Sequence, residues 1–535
     1  MGLKEFTQDL IKKKNDIRKM GGDEEVARQK AAGKLTVRER VDLFFDKGSF
    51  TELGIMGTYQ SDDPLLKDRK TPADGVVTGF GLVSGRKVFV IAYDFTVLAG
   101  TLGEVNERKA SRIRELAYRE RCPLVWLLDS AGARVQEIAS SRFAETGKLF
   151  YDQIIYSGVV PQIAALMGPC AAGTAYIAAL ADFIPMVKGT SSMALAGPPL
   201  VKAAIGEDIS VEDLGGSKVH TEISGVADIE VANDQDCIET IKKYLSYFPQ
   251  HSGEKPPIAI AKSAGKVSES ERMARLMAGE TVIEDRLGDD ILDILPEKSN
   301  QPYDMRKLIA KLVDNAEHLE MKPKFGQALI TTFARLGGRP VGIVASQPMF
   351  RGGVLDIDES DKGARFINLC DAYNIPLVFL QDLPGFMVGS EVEKKGIIRH
   401  GAKLLYAVSR ASVPKLTVIV RKAYGAGYYA LCGRAFGPDL VVAWPTAEIS
   451  LMGAEGAVNI VFRKEIEKAE DPKKRREELI EMYRRKIALE IAAGGAYIDD
   501  VIDPRDTRRV LIDALRMTEN KVFELPKKKH GVMPV

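Results

Sequence analysis

An internal repeat constrains this sequence more than any other feature. Residues 122–135 read CPLVWLLDSAGARV and residues 375–388 read IPLVFLQDLPGFMV, with seven of the 14 paired positions identical. Average residue usage would give about one identity by chance. The same offset of 253 residues pairs the segment 84–92 with 337–345, and 167–176 with 420–429. A constant offset over this length predicts that one domain is present twice.

Each copy alternates short apolar runs with helical stretches. The runs at 88–92 and 341–345 are followed by helical patterns at 105–119 and 361–373, then by a second run, a glycine turn and a third run. This order predicts an α/β fold with mainly parallel sheets, in which ligands bind at the carboxyl ends of strands. We therefore predict two α/β domains, 1–255 and 256–535.

Outside the repeat, the pattern predicts four further segments. The first 70 or so residues read as charged helices, and 249–268, rich in Pro, Ser and Gly, reads as a linker. Residues 464–492 form a charged amphipathic segment that is interrupted near Pro472, and GFGLVSG at 79–85 reads as a turn.

Composition excludes several classes of protein. The net charge is +1, so no basic excess indicates nucleic acid or an anionic membrane surface as a partner. No uncharged apolar run reaches the roughly 18 residues of a membrane helix, and the charged N-terminus does not read as a secretory signal. The five cysteines are scattered, which favours reduced thiols in a cytosolic protein and no metal site.

The two glycine clusters are the candidate catalytic segments. CAAGTAY at 170–176 and YGAGYYA at 424–430 each follow a predicted strand, and the repeat pairs Gly173 and Thr174 with Ala426 and Gly427. Backbone N–H groups at such a junction can form an oxyanion hole, although small residues there also serve close packing. Motifs for a serine nucleophile, a phosphate loop or a zinc protease are absent. If the chain is an enzyme, backbone electrostatics and a cofactor must carry the reaction.

Longer motifs resemble a known family. The segments LLDSAGARVQE (127–137), AGPPLVKAAIGE (196–207), FLQDLPGFMVG (379–389), WPTAEISLMGAEGAVNI (444–460) and YIDDVIDPRDTR (497–508) are similar to carboxyltransferase β subunits of biotin-dependent acyl-CoA carboxylases, of the propionyl-CoA and methylcrotonyl-CoA types. The resemblance implies two crotonase-like (ClpP/crotonase) ββα-superhelix domains. It also implies transfer of a carboxyl group from carboxybiotin to the α carbon, or vinylogous γ carbon, of a short-chain acyl-CoA.

The resemblance assigns roles to residues of both copies. Residues 1–255 would form the acyl-CoA side and 256–535 the biotin side, with no metal in either. The catalytic N–H groups would be those of Gly173, Thr174, Ala426 and Gly427. Substrate binding would involve Ala172, Arg134, Lys202, Gly197 and Tyr429. Biotin binding would involve Gly425, Ala426, Gly427 and Phe386. Tyr429 stands where the family tunes its choice of acyl chain.

The resemblance also implies partners. The family attaches biotin to a lysine in a Met-Lys-Met tripeptide, and the nearest match here is Met321–Lys322–Pro323, without the second Met. We therefore expect biotin on a separate carrier subunit that works with a biotin carboxylase. We also expect a homo-hexamer, a dimer of trimers, in the cytoplasm, or in the mitochondrial matrix if the chain is a mature eukaryotic one.

Several alternatives stay open at this point. The chain could be the α subunit of a biotin-dependent glutaconyl-CoA or methylmalonyl-CoA decarboxylase, a cofactor-free hydratase or isomerase using Glu207 and Glu455, or a non-enzymatic assembly subunit. Asp129 and Asp382 could cap turns, and Arg134 could contact CoA or form a surface ion pair. Trp126 and Trp444 are expected in the core. The acyl group and the physiological direction are not determined by the sequence.

Overall fold

The chain divides into two compact units, Met1–Lys255 and Pro256–Val535. The structure is a computed structural model that describes residues 2–60, 64, 66, 68–139, 141–259, 285–298 and 300–534. The predicted linker at 249–268 is described only as far as residue 259, and its remainder lies outside the described residues.

The first unit is built around one eight-stranded sheet. Its strands are β1 (Thr51–Glu52), β2 (Val76–Val83), β3 (Arg86–Tyr93), β4 (Leu124–Ser130), β5 (Gln162–Ala171), β6 (Pro185–Val187), β7 (Ser192–Ala194) and β8 (Ile229–Val231). Their order is β1-β2-β3-β4-β5-β6-β8, with β7 paired to the end of β5. The helices are α1 (Leu3–Ile17), α2 (Asp23–Ala31), α3 (Val37–Phe44), α4 (Glu104–Arg119), α5 (Val135–Ile138), α6 (Lys148–Tyr156), α7 (Gly173–Ala179), α8 (Pro198–Ile205), α9 (Val211–Gly215) and α10 (Asp234–Tyr247).

The second unit repeats this plan. Its strands are β9 (His318–Met321), β10 (Leu329–Leu336), β11 (Arg339–Ser346), β12 (Leu377–Leu383), β13 (Lys415–Tyr424), β14 (Leu440–Ala443), β15 (Glu448–Ser450) and β16 (Asp500–Val501), in the order β16-β14-β13-β12-β11-β10-β9 with β15 paired to β13. The helices are α11 (Met305–Leu312), α12 (Ile357–Ala372), α13 (Ser390–Lys394), α14 (Ile397–Arg410), α15 (Gly425–Ala430), α16 (Ala454–Val461), α17 (Arg463–Glu467), α18 (Pro472–Lys486), α19 (Leu489–Gly494) and α20 (Thr507–Met517).

The duplication is confirmed in the element boundaries. Strands β2, β3, β4 and β5 begin and end 253 residues before β10, β11, β12 and β13, and α4 precedes α12 by the same offset. Each copy opens with an antiparallel hairpin and continues with parallel strands. Both hairpins turn on two residues of positive φ, Ser84–Gly85 and Gly337–Gly338, as a type I′ turn requires.

The central strands explain the apolar runs of the sequence. All seven residues of β4 and all seven of β12 are buried, because helices cover both faces of a parallel sheet. Trp126 and Trp444, each 1% exposed, belong to the separate apolar cores of the two units, as predicted. The indole N–H of Trp444 donates to the Thr507 hydroxyl at 2.9 Å, so the buried indole is satisfied.

Several local predictions need correction. Residues 79–85 are mostly the end of β2, and only Ser84 and Gly85 turn. The N-terminal helices end at Phe44. Helix α12 begins at Ile357, four residues before the predicted start, because the Asp356 side chain accepts a hydrogen bond from the Ile357 N–H at 2.8 Å. The segment 464–492 forms three helices, with Pro472 in the first turn of α18, where proline is tolerated. Among the described residues, no helix combines the length and apolarity needed to cross a membrane.

Candidate active site

The first glycine cluster lies where β5 gives way to α7. Ala172 adopts a left-handed conformation with φ of +54°, and its N–H donates to the Ala194 carbonyl at 3.0 Å. Within the described part of the chain, no acceptor is found for the backbone N–H of Gly173 or Thr174. With ψ of −123°, this non-glycine residue lies in a sparsely populated region of backbone conformation, which costs about 1–3 kcal/mol. The strained residue therefore directly precedes two N–H groups without a backbone partner in the described chain, that of half-buried Gly173 and that of buried Thr174. We call such N–H groups available below.

The second cluster resembles the first in its backbone at the end of β13. Gly425 takes the left-handed conformation, with φ of +57°, at the position that corresponds to Ala172. Helix α15 begins there, and the described residues provide no backbone acceptor for the N–H groups of Ala426 and Gly427. The predicted pairing of the clusters thus extends from sequence to backbone conformation, and each unit carries one pair of available N–H groups.

A turn glycine packs against each cluster. Gly132, with φ of +96°, follows β4, and a Cβ at this position would come within 2.8 Å of the Ala171 carbonyl oxygen. Gly385, with φ of +125°, holds the corresponding place after β12, and its Cα lies 2.9 Å from where a Cβ of Gly427 would stand. Close backbone approach therefore explains these glycines, which the sequence identified only as turns.

The two clusters differ in how they are packed. Thr174 is fully buried, and its hydroxyl donates to the Ala171 carbonyl at 2.7 Å. Its counterpart Gly427 has no room for a Cβ unless neighbours shift, because a Cβ would lie 2.7 Å from Cδ1 of Leu383 and 2.9 Å from Cα of Gly385. The same backbone shape is thus supported by different neighbours in the two units.

The structure places Phe386 and Tyr429 near the second cluster. Phe386 is half-buried directly after Gly385, and its ring lies 3.1 Å from where a Cβ of Gly401 would stand. Tyr429, in α15, is 43% exposed and stacks on Phe436 with a centroid distance of 5.6 Å. An aromatic surface and an exposed phenol therefore adjoin the available N–H groups.

Arg134 is buried, so the surface ion-pair interpretation is wrong. It is 2% exposed, and its guanidinium donates to Asp74 at 2.8 Å and to Glu137 at 2.7 Å. It also donates to the Thr101 carbonyl at 3.1 Å. Because these bonds occupy the guanidinium, we interpret Arg134 as a residue that positions the turn carrying Gly132, and not as a CoA contact.

The two strand-end aspartates form buried ion pairs, and turn capping does not describe them. Asp129 is fully buried between Lys34 at 2.7 Å and Arg40 at 2.9 Å. Asp382 accepts from Nε of Arg421 at 2.9 Å. Removing one partner of such a pair would leave a buried charge, which typically costs about 3–5 kcal/mol.

Lys202 and Gly197 lie at the surface helix α8. Gly197 precedes the first residue of this helix. The Lys202 side chain is 63% exposed and pairs with Asp208 at 2.8 Å. An exposed pair contributes roughly 0–1 kcal/mol, so the ammonium group could exchange Asp208 for a phosphate at small cost.

A matched pair of lysines, Lys109 half-buried and Lys362 buried, was missed in the sequence. Lys109 of α4 donates to the carbonyls of Ala73 and Val76, each at 2.6 Å. Lys362, 253 residues later in α12, donates to the carbonyls of Lys322 and Phe325 at 2.8 and 2.9 Å. Burial lowers the pKa of Lys109 to about 8 and that of Lys362 to about 7. Applying the repeat offset to single charged residues would have revealed the pair.

Side chains near the clusters provide no evident nucleophile or metal site. Cys170 precedes the first cluster, but burial raises its pKa to about 12, so its thiol stays protonated. All five cysteines are unpaired and buried. Across the residues that the structure describes, no group of three His, Cys, Asp or Glu side chains could hold a metal ion. The available N–H groups are therefore the main chemical resource at each cluster.

A crotonase-like ββα unit that occurs twice, each time with two available N–H groups after its long strand, defines the structural class of this protein. The chain belongs to the carboxyl transferase family, since the family model described as carboxyl transferase domain matches residues 28–533. It is therefore a carboxyltransferase, as the sequence resemblance implied.

Relatives of several activities match over the full length. The propionyl-CoA carboxylase carboxyltransferase subunit of Haloferax mediterranei is 43% identical, with all of both chains covered. The methylmalonyl-CoA decarboxylase subunit alpha of Propionigenium modestum is 42% identical, over 99% of this chain and 98% of the relative. A crystal structure of transcarboxylase 12S, with methylmalonyl-coenzyme A and methylmalonic acid bound, superposes with a TM-score of 0.93 at 42% identity, covering 100% of this chain and 99% of that one.

Proposed function

We propose that this chain transfers a carboxyl group between biotin and the α carbon of a short-chain acyl-CoA, as the carboxyltransferase subunit of a biotin-dependent acyl-CoA carboxylase. One observation carries the proposal: each unit has a pair of available N–H groups at the matching point of the repeat. The transfer needs two oxygen atoms stabilised as they gain negative charge, one on the thioester and one on the ureido group. Two oxyanion holes meet that need.

Each hole is assigned to one reactant. The N–H groups of Gly173 and Thr174 would donate to the thioester oxygen, with residues 1–255 forming the acyl-CoA side. Those of Ala426 and Gly427 would donate to the ureido oxygen of biotin, with residues 256–535 forming the biotin side. Donors that are fixed before the reaction lose little energy to reorganisation, and one such donor is typically worth about 10²–10³ in rate.

The residues of the second cluster fit biotin. The ureido oxygen gains negative charge and needs fixed hydrogen-bond donors, and the bicyclic ring needs an apolar surface, which half-buried Phe386 offers. Biotin, when bound, supplies the transferable carboxyl group and the base for the α proton. The chain's own contribution is to orient both reactants and to stabilise their oxygens.

Biotin would be brought by a separate carrier subunit together with a biotin carboxylase. Lys322, the nearest match to a biotinylated lysine, is 5% exposed, and it is therefore a poor substrate for biotin attachment. Transcarboxylase 12S, a relative of known structure, is a hexamer assembly. Exposed apolar residues such as Leu195, Leu200 and Ile205 support a similar hexamer here, because such surface is usually covered in an assembly. The scattered free cysteines favour the cytoplasm.

The names of the relatives favour a three-carbon acyl group. Propionyl-CoA and methylmalonyl-CoA appear in them, so we propose propionyl-CoA as the acceptor. The motifs AGPPLVKAA and CGRAFGPD keep 3-methylcrotonyl-CoA as an alternative. Exposed Tyr429, which stands where the family tunes its choice of acyl chain, would set this choice.

The decarboxylase alternative has specific support. A methylmalonyl-CoA decarboxylase subunit is as similar to this chain as a propionyl-CoA carboxylase subunit is, at 42% and 43% identity. The same two oxyanion holes serve both directions, so the direction depends on the biotin-bearing partners. The hydratase alternative is weaker: the Glu455 carboxylate accepts from Arg484 at 2.7 Å, and hydrogen bonding holds its pKa below the usual range, which disfavours a general acid.

Transcarboxylation between an acyl-CoA and free biotin tests the proposal. The purified chain is incubated with biotin and, separately, with malonyl-, methylmalonyl-, methylglutaconyl- or glutaconyl-CoA. We expect biotin-dependent loss of the carboxyl group from methylmalonyl-CoA. If the chain instead turns over an enoyl-CoA without biotin and turns over none of these four thioesters, the hydratase alternative is established.

Proline variants test the assigned N–H groups. Gly173→Pro and Ala426→Pro each remove one N–H in the first turn of a helix, where proline is tolerated. We expect each to lower turnover by about 10²-fold while the oligomer and thermal midpoint persist. Gly427→Pro is a poorer probe, because added atoms would meet Leu383 and Gly385. Near-normal turnover in either folded variant would refute that assignment.

A further inference from the structure

The helices that present the N–H groups are too short to hold themselves in place. Helix α7 has seven residues and α15 has six, fewer than isolated helices need for stability. The last carbonyls of any helix also lack partners within it. Whatever binds those carbonyls therefore helps to fix the position of the N–H groups at the other end.

In the second unit, two strands of the sheet hold the end of α15. Gln381 of β12 is fully buried, and its amide donates to the Leu431 carbonyl at 2.6 Å and to the Tyr428 carbonyl at 3.3 Å. Thr417 of β13 donates to the Cys432 carbonyl at 2.8 Å. No partner is found among the described residues for Oε1 of Gln381. Burying an amide with one unpaired atom costs about 1–3 kcal/mol, which argues for a specific use.

In the first unit, a residue of helix α6 binds the end of the short helix α7. The repeat places Leu128 and Ala164, which have no polar side-chain atoms, at the positions of Gln381 and Thr417. Gln153 of α6, 1% exposed, instead donates to the Ile177 carbonyl near the end of α7 at 2.8 Å. Gln162 in turn donates to the backbone carbonyl of Gln153 at 3.0 Å. In both units, a buried glutamine thus binds carbonyls at the end of the short helix, and we call these two glutamines anchors. They come from different elements, strand β12 and helix α6.

We propose that Gln381 and Gln153 are positioning residues for the two oxyanion holes: Gln381 sets the biotin-side N–H groups, and Gln153 sets the acyl-CoA-side N–H groups. The inference rests on the proposed function for which reactant each hole binds. It has a distinctive consequence, because each anchor contacts the helix of its own unit. Loss of one anchor should therefore disturb one reactant and spare the other.

Reciprocal variants test this consequence, and each serves as the control for the other. Gln381→Leu installs the residue that the repeat has at Leu128, and Gln153→Leu is the equivalent change in the first unit. In transcarboxylation, we expect Gln381→Leu to raise the KM for biotin about five- to tenfold and to leave the KM for acyl-CoA within about twofold. Gln153→Leu should give the reverse. Equal changes in both KM values, or none in folded variants, would overturn the proposal.

A second measurement does not depend on turnover. Hydrogen exchange followed by mass spectrometry should show faster amide exchange in 425–433 for Gln381→Leu, and in 173–181 for Gln153→Leu, with the other segment unchanged. Thr417→Val, which keeps its shape, should act on 425–433 like Gln381→Leu but more weakly. If the wild type is inactive but the variants show these exchange differences, the proposed function is refuted and the role of the anchors stands. Unchanged exchange in both segments would refute the anchors.

Discussion

At the scale of single residues, the two glycine clusters have similar backbones but differ in how much space they leave for a side chain. A Cβ at Gly173 would meet only Phe150, at an ordinary 3.6 Å, whereas a Cβ at Gly427 would meet Leu383 at 2.7 Å and Gly385 at 2.9 Å. Gly173→Ala also reproduces its own repeat partner, Ala426. Both substitutions keep the backbone N–H. Their difference therefore isolates how tightly the position of the second hole is packed.

We predict that Gly173→Ala keeps transcarboxylation within about threefold of wild type and that Gly427→Ala lowers it at least about tenfold. Overpacking a tight site usually costs about 1–3 kcal/mol and shifts the backbone, and a tenfold loss of rate is about 1.4 kcal/mol. Turnover numbers and thermal midpoints of both variants would be compared with wild type. Equal activity in the two variants would mean that α15 shifts to accept a methyl group at no cost.

At the scale of elements, a lysine in each copy ties a helix to the segment that leads into β2 or β10. Lys109 holds a turn whose residues Ala73 and Asp74 have φ of +50° and +48°. Lys362 holds the segment in which Lys322 and Gly326 have φ of +51° and +52°. Three carbonyls surround the Lys362 ammonium, with Gly326 as the third at 3.3 Å. The lysine therefore ties its helix to a segment that contains residues of positive φ, through hydrogen bonds from its Nζ to the backbone carbonyls.

This arrangement predicts how stability changes with pH. Burial lowers the pKa of Lys362 to about 7 in the folded chain, whereas an unfolded lysine titrates near 10.4. Between these values the unfolded state binds more protons, so the free energy of unfolding rises with pH, by up to about 1.4 kcal/mol per pH unit. Below pH 7 both states are protonated and the burial penalty is present in full. We expect wild type to gain stability over Lys362→Met between pH 7 and 9.

Denaturation midpoints measured from pH 6 to 9.5 would check this prediction. Lys109→Met is the matched control, because burial lowers the pKa of Lys109 only to about 8. The difference in stability between Lys109→Met and wild type should begin to change about one pH unit higher than that between Lys362→Met and wild type. Parallel profiles for wild type and Lys362→Met would show that Lys362 titrates near its ordinary value.

The helices and strands that lie within the repeat could be predicted from the sequence. Strands β4 and β12, the crossover helices and the two glycine clusters all follow from apolar runs and a constant offset. The buried ion pairs were not predictable in this way, because Asp129 meets Lys34 and Arg40 from far upstream in the chain. Gln381 reads as an ordinary strand residue until the structure shows it beneath α15. Long-range polar contacts of this kind leave no periodic signal in one sequence.

At the scale of the whole molecule, the duplication left each unit with its own sheet, its own apolar core and its own pair of available N–H groups. A domain of this size buries enough apolar surface to fold alone. Transcarboxylation as proposed nevertheless needs both holes. Folding and activity should therefore separate when the chain is cut between Lys255 and Pro256.

We predict that residues 1–255 and 256–535, produced separately, each unfold cooperatively and that neither catalyses transcarboxylation to free biotin. Mixing the two should restore activity, and a mixture in which the first fragment carries Gly173→Pro should stay inactive. Circular dichroism melts and the biotin-dependent decarboxylation assay would report both properties. Turnover by one fragment alone would contradict the assignment of one reactant to each unit. A fragment that is unfolded alone but folded in the mixture would show instead that its core depends on the other unit.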